Sequence, residues 1–160
     1  MVHLHTVDPS MSPLMLLRKV RDVMRSSEEA QTRLNKLVHI ISEGFDSQVC
    51  SIYFVQKSAS LELYATYGLN QTAVHQTRLK VGEGLVGEIA ALSITLNLPE
   101  AHRHPKFAYR PETGEEQFHS FVGVPILYNH RVIGVLVVQS KDTKIYSEEQ
   151  IEILQTVAMV

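Results

Sequence analysis

Six short runs rich in β-branched and aromatic residues, between residues 49 and 138, constrain the fold of this chain most. Turn-forming residues separate them, and they read VCSIYFV (49–55), LELYATY (61–67), TRLKV (77–81), SITLN (93–97), SFVGVPIL (120–127) and RVIGVLVV (131–138). Runs of this length and composition predict β-strands. In the third run apolar residues alternate with Arg78 and Lys80, which is typical of an antiparallel sheet with one face exposed to solvent. The last two runs flank Asn129, which tolerates the positive φ of a tight hairpin.

Helical patterns bracket these strands. Ser12 before a proline predicts the start of a first helix, residues 26–29 have the pattern of a capping box for a second, and residues 147–150 have that pattern for the last. Residues 84–93 predict a short helix entered through glycines. This order predicts an α+β fold: a six-stranded antiparallel sheet with the N- and C-terminal helices on one face and a loop-covered pocket on the other.

The length of 160 residues, with 44% hydrophobic content, suits one ordinary core and is short for two. We therefore expect a single domain over residues 12–160, preceded over residues 1–11 by a flexible end or a remnant of cloning. The last helix ends on VAMV without a glycine, a proline or a basic last turn. We expect it to continue into further sequence.

The charge balance limits the partners. Fifteen Lys and Arg against 17 Asp and Glu give a net charge of -2, which argues against nucleic-acid binding. The longest apolar run, at 132–138, is far shorter than the roughly 20 residues that cross a bilayer, so we expect a cytoplasmic protein without a membrane partner.

The single cysteine, Cys50, lies in an apolar strand, which favours a buried structural thiol over a nucleophile.

The stretch VGEGLVGEIA (81–90) spaces its glycines as G-x-G-x-x-G, a pattern found in dinucleotide-binding proteins. That function requires a buried parallel strand before the glycines and an acidic residue about 20 positions later. The preceding strand is amphipathic and residues 104–110 contain no carboxylate, so we expect no cofactor. Two interpretations stay open: a tight strand-to-helix turn, and an approach of the backbone at Gly84 to a ligand carboxylate.

The connection of about twenty residues across 98–118 is much longer than usual, and it carries cations followed by carboxylates. Because a zwitterionic amino acid needs a partner of each sign, Arg110 and Glu116 are candidate ligand-binding residues, with a solvated charged loop as the alternative. His102 and His104 are also candidates, on the lid of a pocket. A metal site there would need more ligands than the neighbouring sequence offers.

The ends of this connection supply the remaining candidates. Asn97 precedes it, and Phe118 and Ser120 follow it, at strand ends that we expect to face a pocket between the sheet and the loop. With Gly84 and the four loop residues they complete the predicted ligand-binding set. The sequence predicts neither a catalytic residue nor a metal site.

The stretches VGEGLVGEIA (81–90), LNLPEAHRHPKF (96–107) and FVGVPILYNHRVIGVLVVQ (121–139) resemble the GAF family of sensory domains. The resemblance covers nearly the whole chain. It is closer to the N-terminal GAF domains of the nitrogen-type Enzyme I group of phosphoenolpyruvate-protein phosphotransferases, through VCSIYF (49–54) and HPKFAYRPETGEEQFHSFVGVPI (104–126).

This resemblance implies a regulatory fragment that is not itself an enzyme. The implied parent takes phosphate from phosphoenolpyruvate onto a histidine and passes it to a histidine phosphocarrier protein. None of the eight histidines here lies in the Gly- and Ser-rich motif of that phosphoacceptor. The implied ligand is glutamine or 2-oxoglutarate, and the implied partner is the parent's own C-terminal phosphotransferase region. Separately, the apolar stripes on the first and last helices predict a homodimer through a helical bundle. A ligand-free GAF dimerisation module is the alternative.

Overall fold

A six-stranded sheet and four α-helices make up the computed structural model, which describes residues 12–107 and 118–159. The strands are β1 Val49–Val55, β2 Ser60–Tyr67, β3 Arg78–Lys80, β4 Leu96–Leu98, β5 Ser120–Tyr128 and β6 Arg131–Ser140. The α-helices are α1 Pro13–Arg25, α2 Ala30–Gly44, α3 Gly84–Leu92 and α4 Glu148–Val157, with short 3-10 turns at Gln71–Ala73 and Ala101–Arg103. The sheet order is β3-β2-β1-β6-β5-β4, and all neighbouring strands are antiparallel.

The first and last helices begin where the sequence predicts. The Ser12 hydroxyl accepts a hydrogen bond of 3.1 Å from the Met15 N–H, and Pro13 occupies the first helical position. Ser147 and Gln150 form both bonds of a capping box, at 2.8 and 3.2 Å. Both starts are confirmed, because each depends on bonds between residues only three positions apart.

The capping box predicted for residues 26–29 is wrong. Helix α2 begins at Ala30, and Glu29 before it makes no side-chain capping bond. Ser26 instead ends α1, where its N–H donates to the Val23 carbonyl at 3.1 Å. The pattern at 26–29 serves the corner between the two helices, which is also held by a 3.3 Å bond from the Arg33 guanidinium to the Met24 carbonyl.

The fourth predicted strand lies at a different position from β4. Ser93, the first residue of the predicted run 93–97, ends α3 in the left-handed conformation, with φ 53° and ψ 47°, and β4 starts only at Leu96. The hairpin between β5 and β6 is confirmed: Asn129 and His130 have φ of 50° and 64°, as a two-residue turn with positive φ at both positions requires.

The two faces of the sheet carry separate apolar clusters. Helices α1, α2 and α4 cover one face, which we call the helical face, and the buried residues there include Val20, Ile41, Ile52, Val122, Leu136 and Leu154. Helix α3 covers the opposite face, here the α3 face, over Leu61, Leu63, Phe121, Val135 and Val137. The predicted placement of the terminal helices on one face is therefore confirmed.

Both edges of the sheet are short. The outer strands β3 and β4 each have three residues, whereas the inner strands have seven to ten. Within the described ranges, no helix has the length and apolar character needed to cross a membrane.

Candidate ligand-binding site

The glycine-rich turn before α3 is shaped by backbone conformation and close packing. Gly82 and Gly84 have φ of 92° and 70°, a region that favours glycine. A Cβ atom on Gly87 would lie 2.5 Å from the Lys80 carbonyl oxygen, and the Gly82 N–H donates to the Gly87 carbonyl at 2.8 Å. The interpretation as a tight strand-to-helix turn is confirmed, since each of the three glycines has a steric reason to be there.

Apolar side chains from α3 fill the centre of the α3 face. Leu85, Val86 and Ile89 are buried in the cluster that this helix forms with the sheet. The contact is close at Gly123 of β5, where a Cβ atom would lie 2.4 Å from Cδ1 of Ile89. The centre of this face is therefore closed to a polar ligand. A polar ligand could bind only at its edge, where the segment 100–107 packs beside α3; we call this edge the rim.

The rim carries charges of both signs. Glu88 on α3 lies 3.8 Å from the Lys106 ammonium, and Glu100 pairs with the Arg103 guanidinium at 2.8 Å. All four side chains keep part of their surface in solvent. The rim can therefore offer a cation to a carboxylate and a carboxylate to an ammonium group.

The two candidate histidines lie on this rim and face different partners. The His102 ring packs edge-on against the His119 ring, with centroids 5.6 Å apart. Nδ1 of His104 accepts a 3.0 Å hydrogen bond from the Lys106 N–H. They share a segment with Arg103 and Lys106, and Gly84 starts the helix beside it. Within the described residues, no three His, Cys, Asp or Glu side chains are grouped closely enough to hold a metal ion.

Asn97 and Ser120 lie on the helical face. Their strand neighbours Leu96 and Phe121 belong to the α3-face cluster, and side chains alternate along a strand. The Asn97 amide donates to the Tyr146 carbonyl at 3.2 Å, and the Ser120 hydroxyl donates to the Ser140 carbonyl at 3.4 Å. The structure therefore does not bring these two residues together with Gly84 and the histidines.

Of the remaining candidates, the structure describes only Phe118, which is also separate from the rim. Phe118 packs in a small cluster with Val49 and Leu69. Arg110 and Glu116 lie outside the described residues. Sequence reasoning counted Lys106 among the cations of the long connection but missed Glu88, because the proximity of these two side chains is tertiary. The one available signal was a carboxylate on a short helix next to an unusually long, charged connection.

A buried polar group on the helical face is structural. The Tyr146 hydroxyl donates to the Phe45 carbonyl at 3.2 Å, and burial raises the pKa of Tyr146 to about 12. Cys50 is fully buried, and burial raises the pKa of its thiol, which disfavours the thiolate. The expectation of a buried structural cysteine is confirmed.

An apolar cavity of about 230 Å³ lies between α1, α2, α4 and the sheet. Apolar side chains line it: Val20, Met24, Leu34, Leu37, Ile41, Ile52, Phe54, Ile126, Ile133, Leu136, Val157 and Ala158. Since this lining offers no side-chain hydrogen-bonding group, a charged amino acid or oxo acid would leave its charges unpaired there. The charged rim beside α3 is the better candidate for a polar ligand.

Known proteins share this fold and much of this sequence. The family described as "GAF domain" matches residues 29–160. A phosphoenolpyruvate-dependent phosphotransferase system protein of Escherichia coli K12 is 36% identical over 143 residues, which is 89% of this chain and 19% of that protein. This chain thus spans about a fifth of the length of that curated relative.

Two solved structures are similar to this chain in fold as well as in sequence. The GAF domain from a phosphoenolpyruvate-protein phosphotransferase of Coxiella burnetii has a TM-score of 0.86 and 32% identity, covering 95% of this chain and 91% of that one. The corresponding domain from Acinetobacter has a TM-score of 0.82 and 32% identity, covering 92% and 90%. With its six-stranded antiparallel sheet between α3 and the terminal helices, this chain belongs to the GAF domain family.

Proposed function

We propose that this chain is the regulatory domain of a phosphoenolpyruvate-protein phosphotransferase and that it binds a small metabolite at the rim of α3. The observation that carries the proposal is the similarity, across almost the whole domain, to GAF domains from enzymes of that name. The parent transfers phosphate from phosphoenolpyruvate through its own histidine to a histidine phosphocarrier protein, in the cytoplasm. The catalytic region follows α4 in the same polypeptide.

The charges of the rim support a zwitterionic ligand. Arg103 and Lys106 suit an α-carboxylate, and Glu88 and Glu100 suit an α-ammonium group. A dianion such as 2-oxoglutarate would meet as many carboxylates as cations there. We therefore place glutamine ahead of 2-oxoglutarate, with Arg110 and Glu116 of the adjoining connection as further contacts.

Strands β5 and β6 give a route from the ligand to the terminal helices. Phe121 and Val135 face α3, whereas their neighbours Val122 and Leu136 pack on the helical face. A ligand shifts α1 and α4 only if it binds two arrangements of the domain with different affinity. Exposed apolar side chains on the terminal segments, 57% exposed at Leu14 and 68% at Met159, support a homodimer through these helices.

Isothermal titration calorimetry of the domain tests the ligand. We expect saturable binding of glutamine, weakened by Lys106→Met and by Glu88→Gln, because each removes one of the paired charges. Glu149→Gln, an exposed change at the start of α4, is the matched control and should bind as the unaltered domain does. Binding that all three variants retain would place the ligand elsewhere.

A ligand-free dimerisation module is the second candidate, and the apolar filling of the α3 face favours it. It predicts no heat with glutamine, 2-oxoglutarate or cyclic nucleotides, together with a dimeric mass by light scattering. A monomeric mass at working concentration would reject the homodimer in either case.

A further inference from the structure

A chain of polar side chains joins α2 to the outer edge of the sheet, away from the rim of α3. Oε1 of Gln31, in the first turn of α2, lies 2.9 Å from Nε2 of His75. Nδ1 of the same ring lies 2.8 Å from Oε2 of Glu62 on β2. The other oxygen of Glu62 pairs at 2.9 Å with the guanidinium of Arg78 on β3. One histidine therefore bridges a helix and a sheet edge.

The surrounding bonds fix which atoms donate. Nε2 of Gln31 donates to the Tyr64 backbone carbonyl at 2.8 Å, and a carbonyl can only accept. The amide of Gln31 must therefore turn its oxygen to His75. Glu62, paired with Arg78, presents a carboxylate oxygen to the other ring nitrogen. Since both nitrogens face acceptors, the two bonds form together only when the ring is an imidazolium, which has two N–H donors.

The position of the ring is well determined. His75 has φ of 63°, and its backbone N–H donates to the Leu63 carbonyl at 2.7 Å. The ring meets the Tyr64 ring edge-on, with centroids 4.8 Å apart. Glu62, the partner of the ring, is only 7% exposed. The His75 side chain is nevertheless 43% exposed, so water can replace one partner of a neutral ring, and the energy at stake is that of a surface-type interaction.

We propose that charged His75 is a proton-dependent latch that ties the first turn of α2 to the β2–β3 edge. A neutral ring turns a lone pair to either Gln31 or Glu62, so one of the two bonds is lost. The stabilisation is complete only with the protonated ring, so it is greater at low pH than at high pH. The groups that face the ring are Glu62 and Tyr64 from β2 and neutral Gln31 from α2, with Arg78 of β3 acting through Glu62.

The latch also bears on the corner between α1 and α2. The next turns of α2 hold that corner, through the bond from Arg33 to the Met24 carbonyl and the 2.5 Å ion pair between Lys36 and Glu28. Opening the latch leaves Gln31 bonded to β2 only through the Tyr64 carbonyl, which weakens the hold on the start of α2 and, through this corner, on α1.

Amide hydrogen exchange followed by NMR tests the latch between about pH 5.5 and about pH 8, where histidines titrate. After correction for the intrinsic rate, we expect protection in the first turns of α2 to fall on the order of fivefold as the pH rises, the size of one surface-type interaction. His75→Gln should abolish this dependence. His130→Gln is the matched control, because His130 is exposed and also has positive φ, and it should leave the dependence intact.

A second variant covers the case in which His75→Gln fails to fold. Gln31→Leu removes the acceptor on the α2 side, together with the pH-independent bonds of its Nε2 to the Tyr64 carbonyl and to Asn35. It should lower protection there at every pH and make what remains independent of pH. Equal pH dependence in His130→Gln and in either latch variant, or protection in α2 of the unaltered domain that does not change between about pH 5.5 and about pH 8, would overturn the proposal.

Discussion

Replacing Tyr146 with phenylalanine should change the stability of this domain in opposite directions at neutral and alkaline pH. At neutral pH the variant loses the bond from the hydroxyl to the Phe45 carbonyl. Such a bond contributes about 1 kcal/mol. Because the side chain is only 4% exposed, solvent cannot replace the lost bond easily. The variant should therefore be about 1 kcal/mol less stable than the unaltered domain.

At alkaline pH the unaltered domain should lose stability, because Tyr146 is buried. Burial raises the pKa of Tyr146 from its usual 10 to about 12 in the folded state. Between these values the unfolded chain releases the phenol proton and the folded chain keeps it, so the stability of the unaltered domain falls as the pH rises. The full difference corresponds to about 3 kcal/mol, and roughly half of it is lost by about pH 11. The variant has no phenol at this position and does not lose this stability. The free energies of unfolding of the two proteins, plotted against pH, should therefore cross near pH 11.

Urea denaturation of both proteins from about pH 7 to about pH 11.5 measures the difference directly. The other tyrosines are present in both proteins, so their titration largely cancels. Curves that stay parallel across this range would refute the reasoning. They would mean that the phenolate is accommodated in the folded state and that the hydroxyl is not enclosed as its surroundings indicate.

Two further changes test the packing on either side of the sheet. Gly87→Ala should lower the free energy of unfolding by about 1–3 kcal/mol, because its Cβ would lie 2.5 Å from the Lys80 carbonyl oxygen. Gly82→Ala is the comparison, since nothing lies within 4 Å of its Cβ and only the backbone conformation opposes the change. The melting temperature should fall more for Gly87→Ala than for Gly82→Ala. Leu154→Ala should cost about 2–5 kcal/mol in urea denaturation, since Leu154 is 0% exposed, whereas Glu152→Ala on the exposed side of α4 should cost far less.

Local signals in the sequence were sufficient where local bonds decide the structure. The starts at Ser12 and Ser147 and the turn at Asn129 depend on residues within a few positions of each other. The pattern at residues 26–29 misled because a capping box and a helix corner use the same residue types, and the corner is held by the contact of Arg33 with Met24 from farther along the chain. The predicted start of the fourth strand was wrong because Ser93 ends α3 in a left-handed conformation, which serine seldom adopts and its residue type does not predict.

The candidate site was less predictable than the fold, for a geometric reason. Alternation along a strand separates Asn97 from Leu96, but it does not say which face a short helix such as α3 will cover. The proximity of Glu88 to Lys106 spans 18 positions and depends on how the long connection returns to α3. The latch at His75 needs three separate elements to meet, and no spacing in the sequence signals it.

The three-residue strands at both edges of the sheet limit how copies of this domain can associate. A neighbouring chain that paired with β3 or β4 would find only three residues to extend the ladder. Arg78 and Lys80 on β3 are exposed, so a second copy meeting that edge would also bring like charges together. Crowded copies of the domain are thereby protected from joining edge to edge into continuous sheets.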